Sequence, residues 1–238
     1  MAKPRRGLAG HFRIVVEKAK MAKERNRIIC FDLDGTLIDS NEAHATSFNL
    51  AFEKNNLPKV KLENIISQFG PPAEGIVRIL FPNITDRKLK QVVEDKRKFL
   101  VERTWKLTKP LPGVAEAVKT LSKKFKLVIY THSIMGEITV MMRAAKLDRK
   151  LFFKILDSND IHKKPDPDII DAVEEKADGK VEWIVGDTTY DIKTGNNANV
   201  QTIAVLTGVH SAEILQKEKP TIILQSVAML PEYFEGEL

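Results

Sequence analysis

Ile28, Ile29, Cys30 and Phe31 follow one another without a polar break, the pattern of a strand covered on both faces. The run ends in Asp32-Leu33-Asp34-Gly35-Thr36, so carboxylates arrive at a strand end beside a glycine that permits a sharp turn. Side chains two apart on an extended backbone face the same way, so Asp32 and Asp34 converge. From Ser40 to about Leu107 strand signals nearly vanish. Apolar positions there recur at helical spacing in Ala45–Phe52, Ile76–Leu80 and Val92–Trp105, broken at Phe69-Gly70-Pro71-Pro72 and Phe81-Pro82-Asn83. Pro110, Pro112 and Gly113 end this stretch, and Val114–Leu121 reads as an amphipathic helix.

Beyond it the periods of two and 3.6 alternate. Strands are predicted at Lys126–Thr131, Lys154–Leu156, Glu182–Val185, Thr202–Leu206 and Thr221–Leu224. Helices are predicted at Met135–Ala145, Pro167–Lys176 and Ile192–Asn197. Strands alternating with helices specify an α/β protein with a doubly wound, Rossmann-like parallel sheet. Its core comprises residues 28–38 and 111–238, and residues 39–110 form a small all-helical insertion. Residues 1–27 are a leader.

Composition adds little to the fold but separates the leader from the body. The chain has 238 residues and a net charge of +6. Nine basic residues against Glu17 and Glu24 give residues 1–27 a charge of +7, which leaves −1 for the rest. Leu8, Phe12, Val15, Val16, Ala19 and Ala22 lie on one helical stripe. The leader therefore reads either as a solvated helix or tail, or as a surface that touches nucleic acid, anionic lipid or a partner. Met21 offers an alternative start. No apolar run approaches the roughly 18 residues of a membrane span, and no secretory apolar segment opens the chain. Cys30 is the single cysteine and has no disulfide partner. A cytoplasmic location is expected.

Two convergent carboxylates require a hard cation, or a nucleophile paired with an acid. An Asp-x-Asp-Gly segment also occurs in plain turns, and a calcium loop would need Glu at position 43, where Ala43 stands. Other strand ends carry matching chemistry. Tyr130-Thr131-His132-Ser133 precedes a helix, whose first amides and hydroxyls suit an anion. Gly186-Asp187 is followed by Asp191, and His162-Lys163-Lys164-Pro165 offers lysines in a loop. On a parallel sheet these segments meet at one edge. A carboxylate nucleophile, cation ligands, anion-binding amides and a lysine are the parts of phosphoryl transfer.

These four segments, in this order, resemble the haloacid dehalogenase superfamily, specifically its phosphoglycolate-phosphatase-like branch with a helical cap. The flanks Asp34-Gly-Thr-Leu-Ile-Asp-Ser40 and Leu111-Pro-Gly-Val114 match that branch, and the likeness covers roughly residues 28–225. It implies that Asp32 attacks phosphorus and forms an aspartyl-phosphate, and that Asp34 protonates the leaving alkoxide and later activates water. It also implies Mg2+ held by Asp32, the backbone carbonyl of Asp34 and Asp187, with Asp191 in a more distant or water-mediated contact. Thr131 and Lys164 would bind the phosphoryl group, Lys164 being preferred to Lys163 because it directly precedes the proline. A carboxylate at position 34 suits an alkoxide leaving group rather than a halide.

The cap, residues 39–110, would close over a small phosphorylated metabolite. Its hinges are expected near Ile38–Asn41 and Lys109–Gly113. Gly70 in the Phe69–Pro72 loop and His132 are candidate substrate contacts, and His44 and Arg78 are weaker ones. A β-phosphoglucomutase-type mutase is the alternative on the same core. A nucleic-acid or partner-binding protein acting through residues 1–27 is a third reading.

Overall fold

The computed structural model describes residues 26–237; residues 1–25, most of the basic leader, lie outside them. Strand β1 (Arg27–Phe31) is the centre of a six-stranded sheet. Around it are β4 (Lys126–Tyr130), β5 (Lys154–Leu156), β6 (Lys180–Gly186), β7 (Gln201–Val205) and β8 (Ile222–Leu224), in the order β5-β4-β1-β6-β7-β8. Every pairing in the sheet is parallel.

The unbroken apolar run of β1 has a plain cause. Ile29 and Phe31 pack on one face with Leu127, Ile129, Val185 and Ile203. Ile28 and Cys30 pack on the other with Val128, Tyr130 and Ile184. Helices α5 (Val114–Leu121) and α6 (Met135–Ala144) cover the first face, and α7 (Asp168–Ala177) covers the second. Burial pushes the Cys30 thiol up, so it is an inert core group. Because β1 pairs with β4 on one side and β6 on the other, chain connections diverge at its carboxyl end, where such sheets open a crevice.

Residues 38–110 supply a further set of elements. Strands β2 (Ile38–Asp39) and β3 (Lys109–Pro110) form an antiparallel ribbon where the chain leaves and rejoins the sheet region. Between them lie α1 (Asn41–Lys54), α2 (Leu62–Ile66), α3 (Ala73–Leu80), α4 (Asp86–Glu102) and a 3-10 turn over Thr104–Leu107. Phe48, Phe52, Ile65, Val77 and Val92 give this segment an apolar cluster of its own. Helix α4 starts six residues before the expected Val92, because Thr85 caps it, its hydroxyl accepting from the Lys88 amide at 3.4 Å. Asp86, Arg87 and Lys88 in its first turn carry no apolar signal. The two-residue ribbon strands and the short helices α2, α9 (Ala212–Lys217) and α10 (Leu230–Tyr233) are too brief to show a period. Helix α8 (Thr189–Asn197) follows β6. No helix among the described residues is long and apolar enough to cross a membrane.

Candidate active site at the carboxyl edge of the sheet

Asp32 follows β1, Thr131 follows β4 and Asp187 follows β6, so three adjacent strands deliver their next polar residues to one edge. Lys164 arrives from the loop between β5 and α7. It is buried, and its Nζ lies 2.5 Å from Asp32 Oδ1 and 2.7 Å from Asp191 Oδ1. Its ammonium also sits 3.8 Å from the centre of the Tyr130 ring, a favourable cation–π placement. Lys163 is exposed. Burial opposes the charge on Lys164, but Asp191 and Asp32 outweigh it and raise its pKa above the ordinary lysine range.

Asp32, Asp187 and Asp191 each place a carboxylate oxygen within 4.8 Å of the others. All three are buried. Burial, with the neighbouring carboxylates, pushes Asp32 well up despite Lys164, and burial with Asp191 pushes Asp187 to about 7. Three carboxylates face one ammonium, and that excess of buried negative charge suits a hard cation with oxygen ligands such as Mg2+.

The roles within the trio differ. Asp191 accepts from Lys164 and Tyr130 at Oδ1, and from the amide and hydroxyl of Thr188 at Oδ2. Lys164 and these hydrogen bonds hold its carboxyl low against the opposing effect of burial. It is therefore the anchor of Lys164. Asp187 accepts from the Thr36 hydroxyl at 2.9 Å and the Val209 amide at 3.3 Å. The Thr207–His210 loop after β7, which carried no sequence signal as a site element, packs directly on it. A Cβ added to Gly208 would lie 1.7 Å from Asp187 Oδ2. Gly208→Ala is therefore expected to displace Asp187, cutting turnover by about 100-fold or more. Isothermal titration with Mg2+ should show weakened binding, and wild-type affinity in the variant would refute this packing.

Asp34 lies outside the three-acid cluster; its expected place at the metal concerned only its backbone carbonyl. Its Oδ1 accepts from Ser40 at 2.6 Å and lies 3.1 Å from His44 Nε2. Oδ2 accepts from Ser133 at 2.9 Å and, at 3.5 Å, from Thr131. Burial alone would raise this carboxyl, but His44 and the two serines hold it well below the usual carboxylate range. His44, on α1, is thus brought into the site. Arg78 is not: it pairs with Asp86 on the surface.

Ser40, Ser133 and Tyr130 gave no sequence signal beyond adjacency to the acids or to Thr131. Lys96 of α4 also stood out in no way, yet it makes a buried 2.7 Å ion pair with Glu137 of α6, joining the helical segment to the sheet region. The side chains enclose a cavity of about 100 Å3 between Asp32, Asp34 and Asp187 below and His44, Lys96 and Arg97 above. Thr131, His132, Lys164 and Gly70 also line it.

Residues 29–205 match the family model of haloacid dehalogenase-like hydrolases. The chain belongs to that family. The pyrophosphatase PpaX of Halalkalibacterium halodurans is 32% identical over 84% of this chain and 92% of its own. A hydrolase from Pseudomonas syringae superposes with a TM-score of 0.77 at 24% identity, covering 89% of this chain and 99% of that one. A haloacid dehalogenase-like family hydrolase from Streptococcus pneumoniae gives 0.75 at 22% identity, covering 87% and 97%. In this haloacid dehalogenase-like hydrolase the acidic edge of the sheet opens into the cavity above it.

Proposed function

We propose that this enzyme, a phosphoric ester hydrolase, is a Mg2+-dependent phosphatase of small phosphorylated metabolites that works through an aspartyl-phosphate on Asp32. The observation that carries this reading is the placement of Asp32. Lys164 bonds its Oδ1, and its Oδ2 has no hydrogen-bond partner among the described residues, which leaves an oxygen to attack phosphorus. Asp32 and Asp187, with the backbone carbonyl of Asp34, would hold Mg2+, which when bound neutralises charge developing on the phosphoryl oxygens. Lys164 adds a fixed positive charge beside the nucleophile, and Asp191 and Tyr130 keep it there. Thr131 stands where its hydroxyl can donate to a phosphoryl oxygen in the cavity. Residues 39–110 act as a cap, with the β2–β3 ribbon as its base, and exclude water while the first bond breaks.

The environment of Asp34 bears on the leaving group. A carboxylate held ionised by His44, Ser40 and Ser133 can accept a hydrogen bond from, and so orient, the water that attacks the aspartyl-phosphate. An alkoxide leaving group would need a proton delivered through the His44–Asp34 pair, whereas a phosphate leaving group needs none. Phosphoglycolate is the expectation from the sequence resemblance; pyrophosphate, named for the Halalkalibacterium relative, is the second substrate to compare with it.

The test is phosphate release from pyrophosphate, phosphoglycolate and an aryl phosphate, each with Mg2+ and with excess chelator. Release from at least one phosphate ester in Mg2+, reduced to background by chelation, is expected. Full rates under chelation would refute the metal dependence. A requirement for a sugar bisphosphate activator would favour the mutase.

A further inference from the structure

The cationic side chains that line the cavity are already paired with acids, with one exception. On the floor, Lys164 stands 2.5 Å from Asp32 and 2.7 Å from Asp191. On the roof, Lys96 lies 2.7 Å from Glu137, and both are buried, so that ammonium is neutralised within the protein. His44 Nε2 is 3.1 Å from Asp34. Burial keeps His132 neutral, its pKa lowered to about 4. The exception is Arg97, the residue after Lys96 on α4. Its one charged neighbour among the described residues is Glu74, at 3.7 Å, beyond hydrogen-bond reach. Both side chains of that pair are half-exposed, and an ion pair of this kind contributes little. A guanidinium with five N–H donors is therefore left for a ligand.

The dimensions of the cavity say which part of a ligand it would meet. Asp32 and Lys164 are at the floor and Arg97 is at the roof of a space of about 100 Å3. That is small beside the roughly 300–1,000 Å3 of pockets for drug-sized ligands. A molecule whose phosphoryl group lies at Asp32 thus brings its far end close to the roof. Other cap residues lining the space are Phe48, Phe69, Ala73 and Ile76, which offer an anion no hydrogen bond. A negative far end would be stranded against them at a desolvation cost unless Arg97 receives it. The planar fork of a guanidinium matches a carboxylate or a phosphate through two parallel hydrogen bonds.

We propose that Arg97 is a specificity-determining residue that binds a second anionic group of the substrate, a carboxylate or a phosphate, and so directs the enzyme to small phosphate compounds that carry one. This rests on the proposed function, since it takes the phosphoryl group to lie at Asp32. Adjacent cations on α4 then have separate jobs. Lys96 is spent on Glu137 of α6, and Arg97 reads the ligand.

Three compounds test this in the presence of Mg2+: phosphoglycolate, pyrophosphate and 2-hydroxyethyl phosphate. The last keeps the length and primary alkoxide leaving group of phosphoglycolate but ends in a hydroxyl. For wild type, kcat/KM on the better of the two anionic compounds is expected to exceed that on 2-hydroxyethyl phosphate by at least about 10-fold. This comparison needs no variant to fold, and equal or reversed values overturn the proposal. In Arg97→Gln, the loss of kcat/KM on the anionic compound should exceed the loss on 2-hydroxyethyl phosphate by about 10- to 150-fold, the size of a hydrogen bond to a charged group. Arg97→Lys, which keeps the charge without the fork, should recover part of that difference. A larger loss on phosphoglycolate identifies a carboxylate as the group bound, and a larger loss on pyrophosphate a phosphate. Equal losses on all three compounds would reveal a structural role and overturn the proposal, as would no loss at all. Asp32→Asn, run alongside, separates the two levels. If it stays active, or if wild type releases phosphate from none of the three, the proposed function fails. If it is inactive while Arg97→Gln does not discriminate among the compounds, only the assignment of Arg97 fails.

Discussion

Asp32→Asn is expected to abolish phosphate release, by on the order of 10⁴-fold or more, while leaving the fold at least as stable as before. The activity loss follows from the role proposed for Asp32, because the amide that replaces its carboxylate cannot form an acyl phosphate. The stability result is the more diagnostic half. Asp32 is buried beside Asp187 and Asp191, and burial with those neighbours raises its pKa despite Lys164. A neutral side chain there removes one of three crowded negative charges and leaves Lys164 paired with Asp191. Sites that hold unfavourable charge for function commonly gain stability when that charge is removed. In the absence of divalent cation, the variant's Tm should equal or exceed that of the wild type. Turnover above about one per cent of wild type would remove Asp32 from the nucleophile's role, and a clear fall in Tm would refute the charge argument.

Lys164→Met should be costly in both respects. The substitution keeps the apolar length of the side chain but strips the ammonium from Asp32 and Asp191, leaving three buried carboxylates without a protein counterion. Breaking a buried pair from one side typically costs about 3–5 kcal/mol, and loss of one charge-stabilising group costs turnover about 100- to 1,000-fold. Urea unfolding at pH 8 gives the stability term. The sign with pH is set by Asp191, whose carboxyl is held low in the folded protein chiefly by Lys164 against burial. That contribution is present above the unfolded carboxylate pKa and fades as pH falls through the folded value. The gap between wild type and variant should therefore narrow toward low pH. An unchanged urea midpoint at pH 8 would mean that the ammonium does not compensate these acids.

The two variants probe residues that differ in how far the sequence revealed them. Asp32 stood out because an unbroken apolar run has the pattern of a covered strand, and acids at its end are exposed to whatever the sheet edge binds. Lys164 stood out by its proline and its rank in a series of segments, but that it would be buried between Asp32 and Asp191 was not legible. Its exposed neighbour Lys163 has the same chemistry, and the loop path alone separates them. His44 is one of many polar residues on a helix, and becomes part of the site because α1 lays its first turns over Asp34. Lys96 reads as a charge on a helix rich in charge, and its pairing with Glu137 spans 41 residues of sequence. Gly208 is a glycine after a strand until the Asp187 carboxylate fills the space of its Cβ.

The sequence by itself determined which residues can carry the chemistry and which edge of the sheet presents them. That information is local: strand period, turn glycine and the identity of the next polar residue. Only the tertiary structure decided how the acids divide their work, with Asp191 fastening Lys164, Asp187 resting on the Gly208 loop and Asp34 held ionised by His44, Ser40 and Ser133. The physical reason is that burial and neighbouring charge set the state of a carboxylate, and both come from segments distant in the chain. A pattern of residue types fixes where a group sits along a strand; only packing fixes what it faces.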